Sequence, residues 1–232
     1  MQGIFITMEG PDGAGKTTQI ELLKDYLNKK GYDELITRDP GGNAVSEAIR
    51  EVILNKDFTE MGYMTELLLY AAARAQLVKE NIKPALSAGK AVIADRFVDS
   101  SAVYQGIGRG LGIDTVYKVN EFALQGILPD MTFLMDMDAE AGIARKKNQA
   151  ELDRMEQESL EFHKKVVEGY RCLAEMNPDR IVKVDAALPK EAIHDIIISY
   201  VEKCWIISSC PIISENSIML FSLLMLWSCQ PF

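Results

Sequence analysis

Gly10-Pro11-Asp12-Gly13-Ala14-Gly15-Lys16-Thr17 has the spacing G-x-x-x-x-G-K-[ST], the pattern of a loop that wraps a phosphate chain. Glycines let main-chain N–H groups turn toward phosphate oxygens, and the helix that follows adds the positive end of its dipole. Lys16 reaches the β- and γ-phosphates and the Thr17 hydroxyl ligates Mg²⁺. The flanks fit: Ile4-Phe5-Ile6 reads as an entering strand, and Ile20, Leu23 and Leu27 mark the amphipathic helix that leaves. Gly10 to Thr18 is therefore the expected cradle for a nucleoside triphosphate. The loop does not say what receives the phosphoryl group.

Further segments carry chemistry. Thr37-Arg38-Asp39-Pro40-Gly41-Gly42 ends a predicted strand, and Arg38 and Arg50 are available for a second phosphate. Tyr70 and Arg74 are four residues apart, so they share a helix face; the pair is either core packing with a surface arginine or a ring that can stack a base beside an arginine that can bond its edge. Ala91-Val92-Ile93-Ala94-Asp95 is an apolar run ending in a carboxylate placed for Mg²⁺, with Arg96 directly after it. Ser101, Tyr104 and Gln105 follow at a predicted helix start, with hydroxyl and amide groups suited to base and sugar. The series Gly106, Gly108, Gly110, Gly112 follows no strand and reads as a helix-to-helix loop. Arg145-Lys146-Lys147 through Arg154 is either a solvated charge run or a mobile lid.

These segments need a scaffold that brings them to one edge. Candidate strands fall at 3–8, 34–38, 91–95, 131–136 and 180–184. Helical periods fall at 16–29, 43–55, 60–83, 114–125, 139–147, 155–176 and 190–203. Such alternation implies right-handed crossovers around a buried parallel sheet, with ligands beyond the strands' carboxyl ends. The informative residues do follow predicted strands. At 232 residues one α/β domain is expected, and the net charge of −9 argues against a nucleic-acid polymer as partner. An acidic chain that binds two polyanions must gather its arginines locally. Cys172, Cys204, Cys210 and Cys229 form neither a zinc pattern nor a disulfide framework, and Met1 leads straight into the first strand, so the cytoplasm is the expected compartment.

Taken together, the motifs resemble the thymidylate kinase family of the bacterial kind. Six segments occur in its order: the loop, Thr37–Gly42, Tyr70–Arg74, Asp95-Arg96, Ser101–Gly106 and a lid at about 145–156. The resemblance implies a P-loop NTPase-type α/β fold of three layers, a five-stranded parallel sheet flanked by helices. It implies transfer of the ATP γ-phosphate to dTMP with Mg²⁺ at Thr17 and Asp95, and a homodimer. It assigns dTMP contacts to Asp12, Arg38, Arg50, Tyr70, Arg74, Arg96, Ser101, Tyr104 and Gln105. Catalytic charge falls to Lys16 and Arg96 and to the lid residues Arg145 and Arg154, with Asp12 beside the phosphates. Two positions depart from the usual pattern: Asp39 stands where the family commonly has Glu, and Tyr70 where Phe is more usual. Some members carry Arg inside the loop; Gly13 here places the chain with those that draw charge from the lid.

The resemblance spans the region up to Lys203, giving a kinase domain at 1–204 and an apolar tail at 205–232. Glu215 is the tail's only charge, yet its apolar run falls short of the roughly 20 residues of a spanning helix, so no membrane partner is expected. Rival readings are a kinase for another nucleoside monophosphate, a GTPase switch, for which N-K-x-D is missing, and a non-catalytic nucleotide binder.

Overall fold

The computed structural model describes residues 3–147 and 153–209. Five strands, β1 (Ile4–Glu9), β2 (Glu34–Arg38), β3 (Ala91–Asp95), β4 (Met131–Asp136) and β5 (Ile181–Asp185), form one sheet in the order β2-β3-β1-β4-β5. All four pairings are parallel. The expected P-loop-type architecture is the observed one. The chain runs from central β1 to one side and later crosses to the other, so the carboxyl end of β1 is the switch point where ligands bind. The phosphate loop leaves from that end.

Side chains alternate across β1, and the alternation builds both cores. Ile4, Ile6 and Met8 face α1 (Lys16–Lys29) and α9 (Lys190–Ser209), packing on Ile20, Leu23, Leu27, Ile193 and Ile197. Phe5 faces the other layer and meets Leu77, Val78 and Ile82. That layer contains α2 (Ala44–Leu54), α3 (Tyr63–Leu77), α4 (Lys83–Ser87), α5 (Val98–Ser101) and α6 (Ile113–Leu124), while α7 (Ala139–Lys147) packs against α8 (Leu160–Met176), which belongs to the same layer. The same period of two sends Glu9 to this second face, where it is fully buried.

Most predicted elements lie within a residue or two of the observed ones. Three differ. The helix predicted from 155 starts at Leu160, where the Ser159 hydroxyl accepts from the Phe162 amide and fixes the first turn. Helix α5 continues as a π-helical stretch over Ala102–Gly108, so the first two glycines of the predicted loop are helical. Its wide turn is visible in the bond from the Arg109 amide to the Tyr104 carbonyl. Finally, α9 runs to Ser209, across the expected domain limit at 204, while 210–232 lie outside the described residues. Among the described residues no helix is long and apolar enough to cross a membrane.

One buried ion pair ties the layers together. Asp99 of α5 accepts two bonds from Arg180, at 2.6 and 2.9 Å, and one from the Thr132 hydroxyl of β4. Removing Arg180 leaves a carboxylate 1% exposed without its cation. Arg180→Ala should cost about 3 kcal/mol of stability, read as a lower urea midpoint at unchanged slope.

Candidate functional site

The loop takes its shape from glycine. Gly13 and Gly15 have φ of +80° and +87°, and Gly15 caps α1 in the left-handed conformation that side chains resist. Lys16 donates to the Gly10 and Pro11 carbonyls at 3.1 and 3.0 Å, which leaves one of its three N–H bonds for a phosphate. Burial pushes its ammonium pKa down. Gly13 also lies against α7. A Cβ there would sit 2.5 Å from the Gly142 carbonyl oxygen, and one on Gly142 would sit 2.5 Å from the Asp12 carbonyl oxygen. The backbone of α7 thus fills the space that a side chain at position 13 would need. It brings the Cβ of Arg145, which is exposed, alongside the loop.

A cavity of about 460 Å³ opens from the loop. All nine residues expected to hold dTMP line it: Asp12, Arg38, Arg50, Tyr70, Arg74, Arg96, Ser101, Tyr104 and Gln105. Gly13, Gly15, Lys16, Thr17, Thr18 and Asp95 line it as well, whereas Gly10, Pro11 and Ala14 are buried behind the loop. Thr17 and Asp95 share the cavity, and the Asp95 Oδ1 atom is buried with no hydrogen-bond partner. A hydroxyl and an unpartnered carboxylate oxygen beside phosphate positions fit a hard cation such as Mg²⁺.

Arg96 stands at the centre. Its φ of +70° is strained for a side chain of this size. One guanidinium nitrogen donates to Asp12 at 2.8 Å; another donates to the Ser100 and Tyr170 hydroxyls at 3.2 and 3.0 Å. Its face covers Tyr104, 5.3 Å from the ring centre. Behind it lies Glu9, a residue that sequence reasoning missed. Its carboxylate accepts from the Ser100 and Tyr170 hydroxyls at 2.5 and 2.9 Å and from the Phe97 amide at 2.8 Å. Burial, with the nearby Asp99 charge, pushes the Glu9 carboxyl up to about 7, against the pull of Arg96.

Arg74 is fully buried. Its Nε donates to Asp39 at 2.5 Å, Nη2 to the Ser101 hydroxyl at 2.9 Å and the Phe97 carbonyl at 3.3 Å, and Nη1 to the Asn120 side-chain oxygen. One N–H on Nη1 remains for a ligand. Asp39, short as it is, thus reaches the arginine; its other oxygen is buried without a partner, and burial raises its carboxyl despite the cation. Arg38 is paired with Glu47 at 2.7 Å and Arg50 donates to the Pro40 carbonyl at 3.0 Å. Neither contact blocks the cavity they line.

Arg154 is not brought to the loop. It donates to Glu66 and to the Ile53 carbonyl, both at 2.7 Å, and its neighbours Asp153, Met155 and Glu156 line the cavity instead. The fully buried Glu66 that captures it was not legible in the sequence. Residues 148–152 of the expected lid lie outside the described residues.

One cavity is thus lined by the phosphate loop and by Arg38, Arg50, Arg74 and Arg96. The family model described as thymidylate kinase matches residues 8–197. The chain belongs to the thymidylate kinase family. It is 50% identical over 203 residues to a thymidylate kinase of Geobacillus sp. (strain WCH70), covering 87% of this chain and 97% of that one. It is 48% identical over 196 residues to that of Clostridium novyi (strain NT), covering 84% and 96%. The solved thymidylate kinase of Ehrlichia chaffeensis matches with a TM-score of 0.69 and 31% identity, over 87% of this chain and 99% of that one. The family phosphorylates dTMP in nucleotide biosynthesis with ATP as donor, and the present chain is an enzyme of that kind.

The Glu9 site gives a pH signature. The unfolded chain releases this proton near 4.5, whereas the folded protein keeps it until about pH 7. Between those values the folded state binds the extra proton, so this group's contribution to stability falls as pH rises. Urea unfolding from pH 5 to 8 should show that decline in the wild type, flattening above pH 7. Glu9→Gln should lack it.

Proposed function

We propose that the enzyme passes the γ-phosphoryl group of ATP directly to a phosphate oxygen of dTMP, giving dTDP, with Arg96 spanning the junction. The observation that carries this reading is that the phosphate loop, Arg96 and the residues expected to hold the acceptor line one cavity. Asp12, Gly13 and Gly15 to Thr18 supply the loop's part of that lining. Arg96 is braced on Asp12 and the Ser100–Tyr170 hydroxyl pair. Arg38, Arg50 and Tyr70 line the same cavity, as do the polar groups of Arg74, Ser101 and Gln105.

The acceptor phosphate is anionic at neutral pH, so no general base is required. Repulsion between two polyanions is the barrier, and fixed cations offset it without reorganising. Lys16 serves the donor phosphates, while Arg38, Arg50 and Arg96 serve the acceptor. A magnesium ion held by Thr17 and Asp95 would neutralise charge on the donor. Arg145, whose Cβ lies alongside Gly13, would serve as the lid cation for the transferring group. Arg154 serves instead as the lid's root, fixed to Glu66.

The base wall supports thymine. Arg74 has one N–H to give, and the Ser101 hydroxyl, already accepting from Arg74, keeps a proton to donate. Carbonyl O4 of a thymine suits such donors. The Tyr104 hydroxyl, buried without a partner, is left for the sugar. Val45, Val52, Met64, Leu68 and Phe122 are exposed apolar side chains on the neighbouring helices α2, α3 and α6. They supply a face for the homodimer that the family resemblance implies. We assign the enzyme to the cytoplasm on the same resemblance.

ADP release should be greatest with dTMP, roughly 10–200-fold lower in kcat/KM with dUMP, since only a methyl distinguishes them, and weaker still with dCMP, AMP or GMP. A different preferred acceptor would overturn the thymine reading and leave the phosphate chemistry standing. Arg145→Ala should lower kcat about 10³-fold with the KM for dTMP near wild type. An unchanged kcat would remove Arg145 from the reaction.

A further inference from the structure

Glu66 is not among the residues that line the cavity, yet it is buried behind Gln105 and accepts four hydrogen bonds from three residues. Its Oε1 atom accepts from the Gln105 side-chain nitrogen at 2.9 Å and from Arg109 Nε at 3.2 Å. Its Oε2 atom accepts from Arg109 Nη2 at 3.1 Å and from Arg154 at 2.7 Å. Burial alone would raise the Glu66 carboxyl, but hydrogen bonds from Arg109 and Gln105 and the arginine charges hold it below the usual range. It is therefore an ionised acceptor that donates nothing.

That fact fixes the polarity of Gln105. A glutamine amide has a donor end and an acceptor end, and turning it over exchanges the two at almost no change in shape. Facing a carboxylate, the amide must present its NH₂. Its carbonyl oxygen accepts no hydrogen bond among the described residues, and Gln105 lines the cavity. We propose that Glu66 is a positioning residue that sets base selectivity, by locking Gln105 with its carbonyl oxygen toward the base. The proposal rests on the thymine-site reading above.

The consequence is a two-point code. Arg74 offers a donor and Gln105 an acceptor. Thymine and uracil present the matching pair, a carbonyl at position 4 and an N–H at position 3. Cytosine presents the reverse at both points, an amine at 4 and a bare nitrogen at 3. Each mismatch leaves a buried polar group unpaired, the kind of penalty that gives a site strong rejection. Without Glu66 the amide is free to turn and half of the code is lost.

The geometry makes the test directional. In Glu66→Gln the new amide has one oxygen. Two arginine nitrogens, at 3.1 and 2.7 Å, converge on the Oε2 position against one, Arg109 Nε at 3.2 Å, on Oε1; arginine only donates, so the oxygen is held at Oε2. The new NH₂ then occupies the Oε1 position, and Gln105 must turn its oxygen inward to meet it. The cavity gains a donor where it had an acceptor. Steady-state kinetics with ATP and Mg²⁺, and calorimetric binding without ATP, should be run with dTMP, dUMP and dCMP. For E66Q the KM for dTMP and dUMP should rise about tenfold while that for dCMP falls, with kcat for dTMP changing little. Glu66→Asp remains acceptor-only and should keep the dTMP-to-dCMP ratio even where both bind more weakly. Should E66Q prove too unstable, Glu66→Gln with Arg109→Met neutralises one ion pair as a unit and carries the same expectation. A uniform loss for all three nucleotides, or an unchanged ratio in E66Q, would overturn the proposal and leave Glu66 a purely structural anchor. A wild-type enzyme that does not prefer dTMP and dUMP over dCMP would instead overturn the thymine-site reading on which it stands.

Discussion

Positive charge has to be in place before two polyanions can meet, and this acidic chain stores it by bracing arginines against carboxylates. Arg96 leans on Asp12, Arg74 on Asp39, Arg38 on Glu47, and Arg109 and Arg154 on Glu66. An arginine buried alone would carry a large desolvation penalty, and one left in solvent would lose orientation and strength. Each carboxylate offsets the first problem and restricts the second. Breaking one partner of a buried pair is costly, so the pairs also bind the site to the fold.

The sheet decides how the bracing is arranged. Because β1 is central and its side chains alternate, Met8 closes one core while Glu9, the next residue, enters the other layer beneath Arg96. Only one backbone step separates an apolar contact from the carboxylate that holds the Ser100 and Tyr170 hydroxyls behind Arg96. The π-helical stretch after α5 belongs to the same logic. The stretch over Ala102–Gly108 carries Tyr104 and Gln105, and its wide turn lies between the Arg96 cluster and the Glu66 cluster. Strain in Arg96 and irregular helix at Gln105 are tolerated because dense hydrogen bonding fixes them.

Glycine governs the approach of the lid. Gly13 and Gly142 meet backbone to backbone, so α7 lies on the phosphate loop rather than over it. A cation carried by the loop itself would have no room in this arrangement. The next turn of α7 brings the Cβ of Arg145 beside Gly13 instead, so volume decides which element carries an arginine next to the loop.

The sequence by itself determined the sheet, the phosphate loop and the membership of the cavity. Those depend on local signals: apolar runs, a glycine spacing, and residues that follow strand ends. Strand limits fell within a residue or two, and all nine residues expected to hold dTMP line one cavity. What only the tertiary structure decided is which group each polar side chain answers to. Glu9 reads as the last residue of a strand, and Glu66 as an ordinary charge in a helix's first turn. Their meaning comes from Tyr170, 161 residues away, and from Arg154, 88 residues away. Arg154 likewise reads as a lid cation until Glu66 is seen to hold it. Periodicity reports which face a residue occupies, but a hydrogen bond depends on ångström distances between atoms far apart in the chain, and only packing sets those.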